Sequence, residues 1–138
     1  MNIEQLKAVI QPLDIESDRE HSALEKEYFE YYGINFSAKL TQVNHHFGYL
    51  DCEKYRIACH YFKNAGATRT VFIVHGYTDH VGLYGKLIDY FLHRGCCVVA
   101  MDLPGHGLSS GAAISIDSFG EYGICLLYTS PSPRDTEV

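Results

Sequence analysis

Val71-Phe72-Ile73-Val74-His75-Gly76-Tyr77 is an apolar run that breaks into a turn. Four consecutive apolar residues without alternation read as a strand buried on both faces. Beyond the turn, Val81, Tyr84, Leu87, Ile88, Phe91 and Leu92 recur at spacings of three and four, the mark of an amphipathic helix over 81–92. Gly95 sits where a helix is stopped by a left-handed residue. Cys96 to Met101 is a second continuous apolar strand, and Asp102 to Gly111 is a glycine-rich loop. Strand, helix, strand with both strands buried is a βαβ unit on a parallel sheet, so the expected fold class is α/β.

Upstream, the period changes. Val43–Leu50 and Tyr55–Phe62 are rich in aromatic and β-branched residues and are separated by a polar turn at Asp51–Lys54. They are expected to form an antiparallel hairpin ahead of the parallel unit. Ile3, Leu6, Val9 and Ile10 have helical spacing up to Pro12. Ser17 with Glu20 reads as a capping box that opens a second helix, which runs to Tyr32 and stops at Gly33. On that helix, Glu25, Lys26, Glu27 and Glu30 read as a solvated face. The expected organisation is a helical extension over 1–42, a sheet domain over 43–124 and a separate tail over 125–138.

A formal charge of −6, with the acids densest in the first 30 residues and no basic stripe, argues against a nucleic-acid partner. An apolar fraction of 46% and a charged fraction of 20% are ordinary for a globular protein. No apolar run approaches the roughly 18 residues that a membrane-spanning helix needs. Met1–Gln5 does not read as a secretory signal. Five cysteines, an odd number at spacings that match no zinc module, read as buried thiols in a reducing compartment; the expected location is cytoplasmic. Neither Cys59-His60 nor His45-His46 has the second pair that a metal site requires, and no metal or cofactor is expected.

Two motifs carry chemistry. At His75-Gly76-Tyr77 a strand ends and a helix is about to begin, so peptide N–H groups can face the crevice beyond the strand ends. An acyl-transfer enzyme needs such donors to hold the negative oxygen of a tetrahedral intermediate. Taken alone, His-Gly is also an ordinary tight turn. In the second motif, Asp102-Leu103-Pro104-Gly105-His106-Gly107-Leu108-Ser109-Ser110-Gly111, Asp102 can accept loop N–H groups and the glycines permit a tight reversal.

His75 to Tyr84 followed by Asp102 to Gly111 resembles the lysophospholipase and monoacylglycerol lipase branch of the α/β-hydrolases, of serine aminopeptidase type. Ile116 to Tyr122 is similar to the start of that branch's next helix. The resemblance covers roughly residues 45–124. It implies a carboxylic ester hydrolase acting on a small-molecule or lipid ester, and it carries no sign either way on peripheral membrane contact. It makes the backbone N–H of Tyr77 an oxyanion donor, with His75 and Gly76 as its turn. Asp102, Gly105, His106, Gly107 and Ser109 become structural turn residues. The triad follows the order Ser, Asp or Glu, His in this superfamily. No member is assignable in this sequence, which is expected to stop before the nucleophile elbow and to be inactive by itself. An aspartate-nucleophile epoxide hydrolase or dehalogenase, and a non-catalytic binding protein on the same fold, remain the alternatives.

Gly107-Leu108-Ser109-Ser110-Gly111 matches the G-x-S-x-G pattern of a nucleophile elbow. The elbow needs a strand directly before it and a helix directly after. Here Asp102–His106 intervenes, and Ala-Ala-Ile-Ser-Ile follows. A phosphate loop at Gly105-x-Gly107 fails for a related reason, since its glycines do not open a helix after the first strand. Finally, the eleven residues Cys125-Leu-Leu-Tyr-Thr-Ser-Pro-Ser-Pro-Arg-Asp135 resemble a transposase sequencing adapter translated in one frame. On that reading native sequence ends near Ile124.

Overall fold

A computed structural model describes residues 1–113 of the chain. The Ile116–Tyr122 resemblance to the start of a further helix and the tail at 125–138 lie outside the described residues. Three helices, α1 (Ile3–Val9), α2 (Ala23–Tyr32) and α3 (Phe36–Lys39), precede the hairpin strands β1 (Val43–Cys52) and β2 (Tyr55–Asn64). Strand β3 (Arg69–Val74), a 3₁₀ turn at Val81–Tyr84, helix α4 (Gly85–His93) and strand β4 (Cys96–Met101) follow.

The four strands form one mixed sheet in the order β1-β2-β4-β3. β1 and β2 are antiparallel and close at Cys52↔Tyr55, so the turn is Glu53-Lys54 and both strands are longer than expected. β2 runs antiparallel to β4, with Cys59 opposite Met101. β3 runs parallel to β4, with Val71 opposite Val98, and α4 makes the crossover between them. This is the predicted hairpin followed by a parallel βαβ unit.

β4 shows why the sequence reads as a continuous apolar run. All six of its residues are buried, and Val98 to Met101 alternate between two cores. Val98 and Ala100 join Leu6, Tyr28, Phe29, Phe62, Ile88 and Leu92 under the helices, whereas Val99 and Met101 join Cys52, Ile57, Cys59 and Leu103 on the other face. β3 has the same apolar composition but a different position. Among the described residues it has a strand neighbour on one side only. Ile73 is buried and Val74 is 48% exposed, so the expectation of burial on both faces fails at β3. The opposite edge, at β1, is covered. Leu13 N–H donates to Tyr49 O at 3.0 Å and Tyr49 N–H donates to Gln11 O at 2.9 Å.

The predicted capping box is displaced by five residues. Ser22 accepts from Glu25 N–H at 3.2 Å, and the Glu25 carboxylate accepts from Ser22 N–H at 2.9 Å. Ser17 instead donates its hydroxyl to Asp14 at 2.8 Å in a preceding turn. Both serines have a glutamate three residues on; tertiary contact decides between them. Arg19 reaches Glu25 with both guanidinium ends at 3.1 and 3.0 Å and donates to Phe47 O at 3.0 Å. That reach requires residues 17–22 to stay outside the helix. Glu25, expected on a solvated face, is fully buried. Burial pushes its carboxyl pKa up, but hydrogen bonds from Arg19 and Ser22 outweigh this and the net shift is downward. Gly33, at φ 69°, ends α2 as expected.

Beside this pair, between α2 and the hairpin, lies a nest of histidines among phenylalanines. His45 Nε2 meets His60 Nδ1 at 2.9 Å, and His21 Nε2–H donates to His45 O at 2.8 Å. Phe62 stacks on His45 at 4.1 Å and Phe29 lies 4.2 Å from it. Each of the three rings leaves one buried nitrogen with no partner among the described residues: His21 Nδ1, His45 Nδ1 and His60 Nε2. Burial lowers all three pKa values, that of His60 to about 3.

Candidate active-site turn

The parallel strands β3 and β4 end side by side, with Val74 opposite Met101, so the two loops that follow them emerge together. Asp102 is the pivot of this junction. It is fully buried, and its two carboxylate oxygens accept from Val81 N–H at 2.8 Å and Leu108 N–H at 3.0 Å. One oxygen thus anchors the 3₁₀ turn after β3 and the other closes the loop after β4. Burial raises the Asp102 pKa, and these two N–H bonds oppose the rise. Gly107 has φ 50°, and a side chain there would collide with the Asp102 carboxylate.

Two histidines tie the loops across. Leu103 N–H donates to His75 Nε2 at 2.9 Å, which places the ring proton on Nδ1, and Nδ1–H donates to Gly76 O at 2.8 Å. Burial lowers the His75 pKa, against the pull of the Gly76 carbonyl. Thr78 N–H donates to His106 Nε2 at 3.3 Å, and His106 Nδ1–H donates to Pro104 O at 2.9 Å. Both nitrogens of both rings are engaged with backbone.

The Gly76 carbonyl also accepts from Asp79 N–H at 3.0 Å. Two donors from different directions therefore hold one oxygen. A peptide unit is planar, and none of the described peptide bonds is cis. Fixing Gly76 O accordingly fixes the N–H of Tyr77, which lies on the opposite side of the same plane. The Tyr77 ring is 70% exposed and edge-on to His106 at 5.9 Å.

Ser109 has no such exposure. Its hydroxyl donates to Asp102 O at 2.5 Å and accepts from Ala58 N–H at 2.9 Å, and the residue is 4% exposed. Gly105 N–H donates to Ser110 O at 2.9 Å, which closes the loop base. The junction thus gathers His75, Gly76, Tyr77, Asp102, Gly105, His106, Gly107 and Ser109 in one place. It adds Asp79 and Tyr84, to which the sequence reading assigned no role of their own within the 75–84 motif. Tyr84 counted there only as an apolar helix position, yet its hydroxyl accepts from Gly76 N–H at 3.0 Å and donates to Asp79 Oδ2 at 3.0 Å. The signal available was a tyrosine, not a leucine, at the start of an apolar stripe, five residues after an aspartate.

Residues 65–123 match the family model described as serine aminopeptidase, S33. The chain is 36% identical over 67 residues to Protein ABHD8 of Homo sapiens, covering 49% of this chain and 15% of that protein. It is 39% identical over 67 residues to the monoglyceride lipase homolog of monkeypox virus, covering 48% of this chain and 24% of that protein. The chain therefore spans less than a quarter of the length of these relatives. Among solved structures, Est1E from Butyrivibrio proteoclasticus with bound ferulic acid superposes with a TM-score of 0.51 over 58% of this chain and 34% of that one, at 20% identity, a likeness of fold. Sheet order, crossover and matched segment agree with an α/β-hydrolase fold, of which the described residues form the hairpin and the first parallel crossover.

Proposed function

We propose that the whole protein carrying this chain is a carboxylic ester hydrolase acting on small-molecule or lipid esters of the monoacylglycerol or lysophospholipid kind. In this reading the backbone N–H of Tyr77 is one of two oxyanion donors, and a serine nucleophile with its histidine and acid comes from sequence beyond the described residues. The serine attacks the acyl carbon, the histidine carries the proton to the leaving alcohol, and water releases the acyl-enzyme. The supporting observation is the Gly76 carbonyl clamped by His75 and Asp79, because a donor that does not reorient as charge develops is what stabilises an oxyanion. His106 and Ser109 are turn residues in this scheme: their polar atoms are spent on backbone. Residues 1–42 act as an extension and 43–124 as hydrolase domain, while 125–138 is non-native. A cytoplasmic setting accords with four described cysteines that are buried and in no disulfide.

Fluorophosphonate labelling of the full-length protein is the test. An activated serine displaces fluoride and forms a stable Oγ–P bond, whereas an aspartate nucleophile gives no such adduct. The expected result is one labelled serine in a Gly-x-Ser-x-Gly context. An unlabelled protein that opens epoxides would instead establish the aspartate-nucleophile reading. The 138-residue chain alone should not turn over p-nitrophenyl esters; turnover abolished by Ser109→Ala would contradict the assignment of Ser109.

A further inference from the structure

We propose that Tyr84 and Tyr32 are positioning residues for the oxyanion turn, with the N-terminal helix α2 acting as a strut behind it. The proposal rests on the reading of Tyr77 given above. Three hydrogen bonds close a ring around residues 76–84: Gly76 N–H to Tyr84 Oη, Tyr84 O–H to Asp79 Oδ2, and Asp79 N–H to Gly76 O, each at 3.0 Å. Tyr84 therefore acts on the Gly76–Tyr77 peptide from both ends. It holds the amide that precedes that peptide, and through Asp79 it holds the carbonyl within it. It also occupies the Gly76 N–H, so the neighbouring amide does not compete with Tyr77 for a developing oxyanion.

The Tyr84 hydroxyl is only as well placed as the 3₁₀ turn that carries it. That turn is pinned by Asp102 at Val81 N–H, and by His80, whose Nδ1 accepts from Gly82 N–H at 3.2 Å. The third support comes from α2. The Tyr32 ring lies edge-on to His80 at 4.9 Å. A Cβ on Gly82 would sit 2.8 Å from Tyr32 Cγ and 2.7 Å from His80 Cε1, so the two rings grip a backbone that has no side chain to separate them. One residue past Tyr84, Gly85 backs onto the Tyr32 carbonyl, which a Cβ there would approach to 3.3 Å. α2 is outside the segment that matches the family model, which covers 65–123. The strut is thus a feature of this chain's N-terminal segment, and it ties that segment to the turn by direct packing.

The test uses the full-length protein with a soluble p-nitrophenyl ester. Tyr84→Phe and Tyr32→Ala should each lower kcat about tenfold with KM within about twofold. That loss is smaller than the about 10²–10³ expected for losing a donor outright, because the donor remains but is less well aimed. Tyr32→Phe keeps the ring and should restore the wild-type rate. A merely structural role would not give this split. By amide exchange, Gly76 N–H should lose protection in Tyr84→Phe and Tyr32→Ala while the amides of β4 keep theirs. Unchanged kcat in both variants, alongside a large loss in Tyr77→Pro, would overturn the strut and leave the oxyanion reading standing. Unchanged Gly76 exchange in Tyr84→Phe would overturn the bracing whatever the activity. A Tyr77→Pro variant at full rate would overturn the oxyanion reading itself.

Discussion

His75 and His106 stand at the ends of the parallel strands, and His45 and His60 stand in the middle of the hairpin; all four are buried. The first two spend every nitrogen on backbone N–H or C=O groups of the two loops. The second two share one hydrogen bond and leave a nitrogen each without a partner among the described residues. The same side chain therefore does two kinds of work. At the junction it substitutes for missing secondary structure, tying loop backbone that no strand or helix satisfies. In the hairpin it is a filler among phenylalanines, tolerated because it stays neutral. Removing a member of each group should have different consequences.

The largest effect is expected at the edge of the nest. Arg19→Ala strands the fully buried Glu25 carboxylate. It should cost about 3 kcal/mol, the lower end of what breaking a buried pair costs, because Arg19 keeps some contact with solvent. Urea melts read it directly, and an effect under about 1 kcal/mol would mean that Glu25 finds water or a proton instead. At the junction, Gly107→Ala drives a methyl into the Asp102 carboxylate at a left-handed position and should cost about 2 kcal/mol. His75→Phe orphans Leu103 N–H and removes one of the two donors to the Gly76 carbonyl, at about 1–3 kcal/mol. The paired replacement His45→Leu with His60→Leu, which removes both partners of one bond and two orphan nitrogens, should change stability by less than about 1 kcal/mol in either direction. Equal costs for the junction and hairpin replacements would erase the distinction.

Low pH acts on the buried histidines of the hairpin nest. The imidazoles of His21, His45 and His60 have pKa values below the ordinary 6.5, so as pH falls through 6.5 the unfolded chain takes up protons that the fold refuses. Stability must then decrease on acidification, by up to about 1.4 kcal/mol per pH unit for each such group. The decline should be visible between pH 6.5 and 4.5, above the range in which Glu25, whose pKa is depressed from 4.5, loses its own contribution. The charged groups around the nest are Asp18, Arg19, Glu20 and Lys26, with the His46 imidazole beside them. The His45→Leu/His60→Leu protein should show a shallower slope by chevron or melt at matched ionic strength, and an unchanged slope would place the acid sensitivity at His21 or His75.

The sheet was legible because its strongest signals are local. The unbroken apolar run of β4, the period of three and four in α4 and the stop at Gly95 each follow from burial on known faces. What the sequence hid depends on partners far along the chain. Glu25 looks like one more charge on a polar helix face until Arg19 is folded back onto it, and Ser17-x-x-Glu20 and Ser22-x-x-Glu25 are indistinguishable as strings. β3 reads as interior by composition, yet it is an edge among the described residues because order in the sheet is not written in a strand's own residues. At the candidate site, the turn and its residues were readable from motif and position. The Tyr84 hydroxyl was not, since helical periodicity scores a tyrosine by its ring and is blind to the oxygen at its end.

In the proposed function, the junction holds one peptide N–H, that of Tyr77, in place. The most direct measurement is kcat for hydrolysis of a p-nitrophenyl ester by the full-length protein carrying Tyr77→Pro, beside the same protein carrying Tyr77→Phe. Proline deletes the N–H, and phenylalanine keeps it while removing only the side-chain hydroxyl. The expected loss is about 10²–10³ for proline and less than about threefold for phenylalanine. Equal losses in the two variants would place the role of Tyr77 in its side chain and contradict the account.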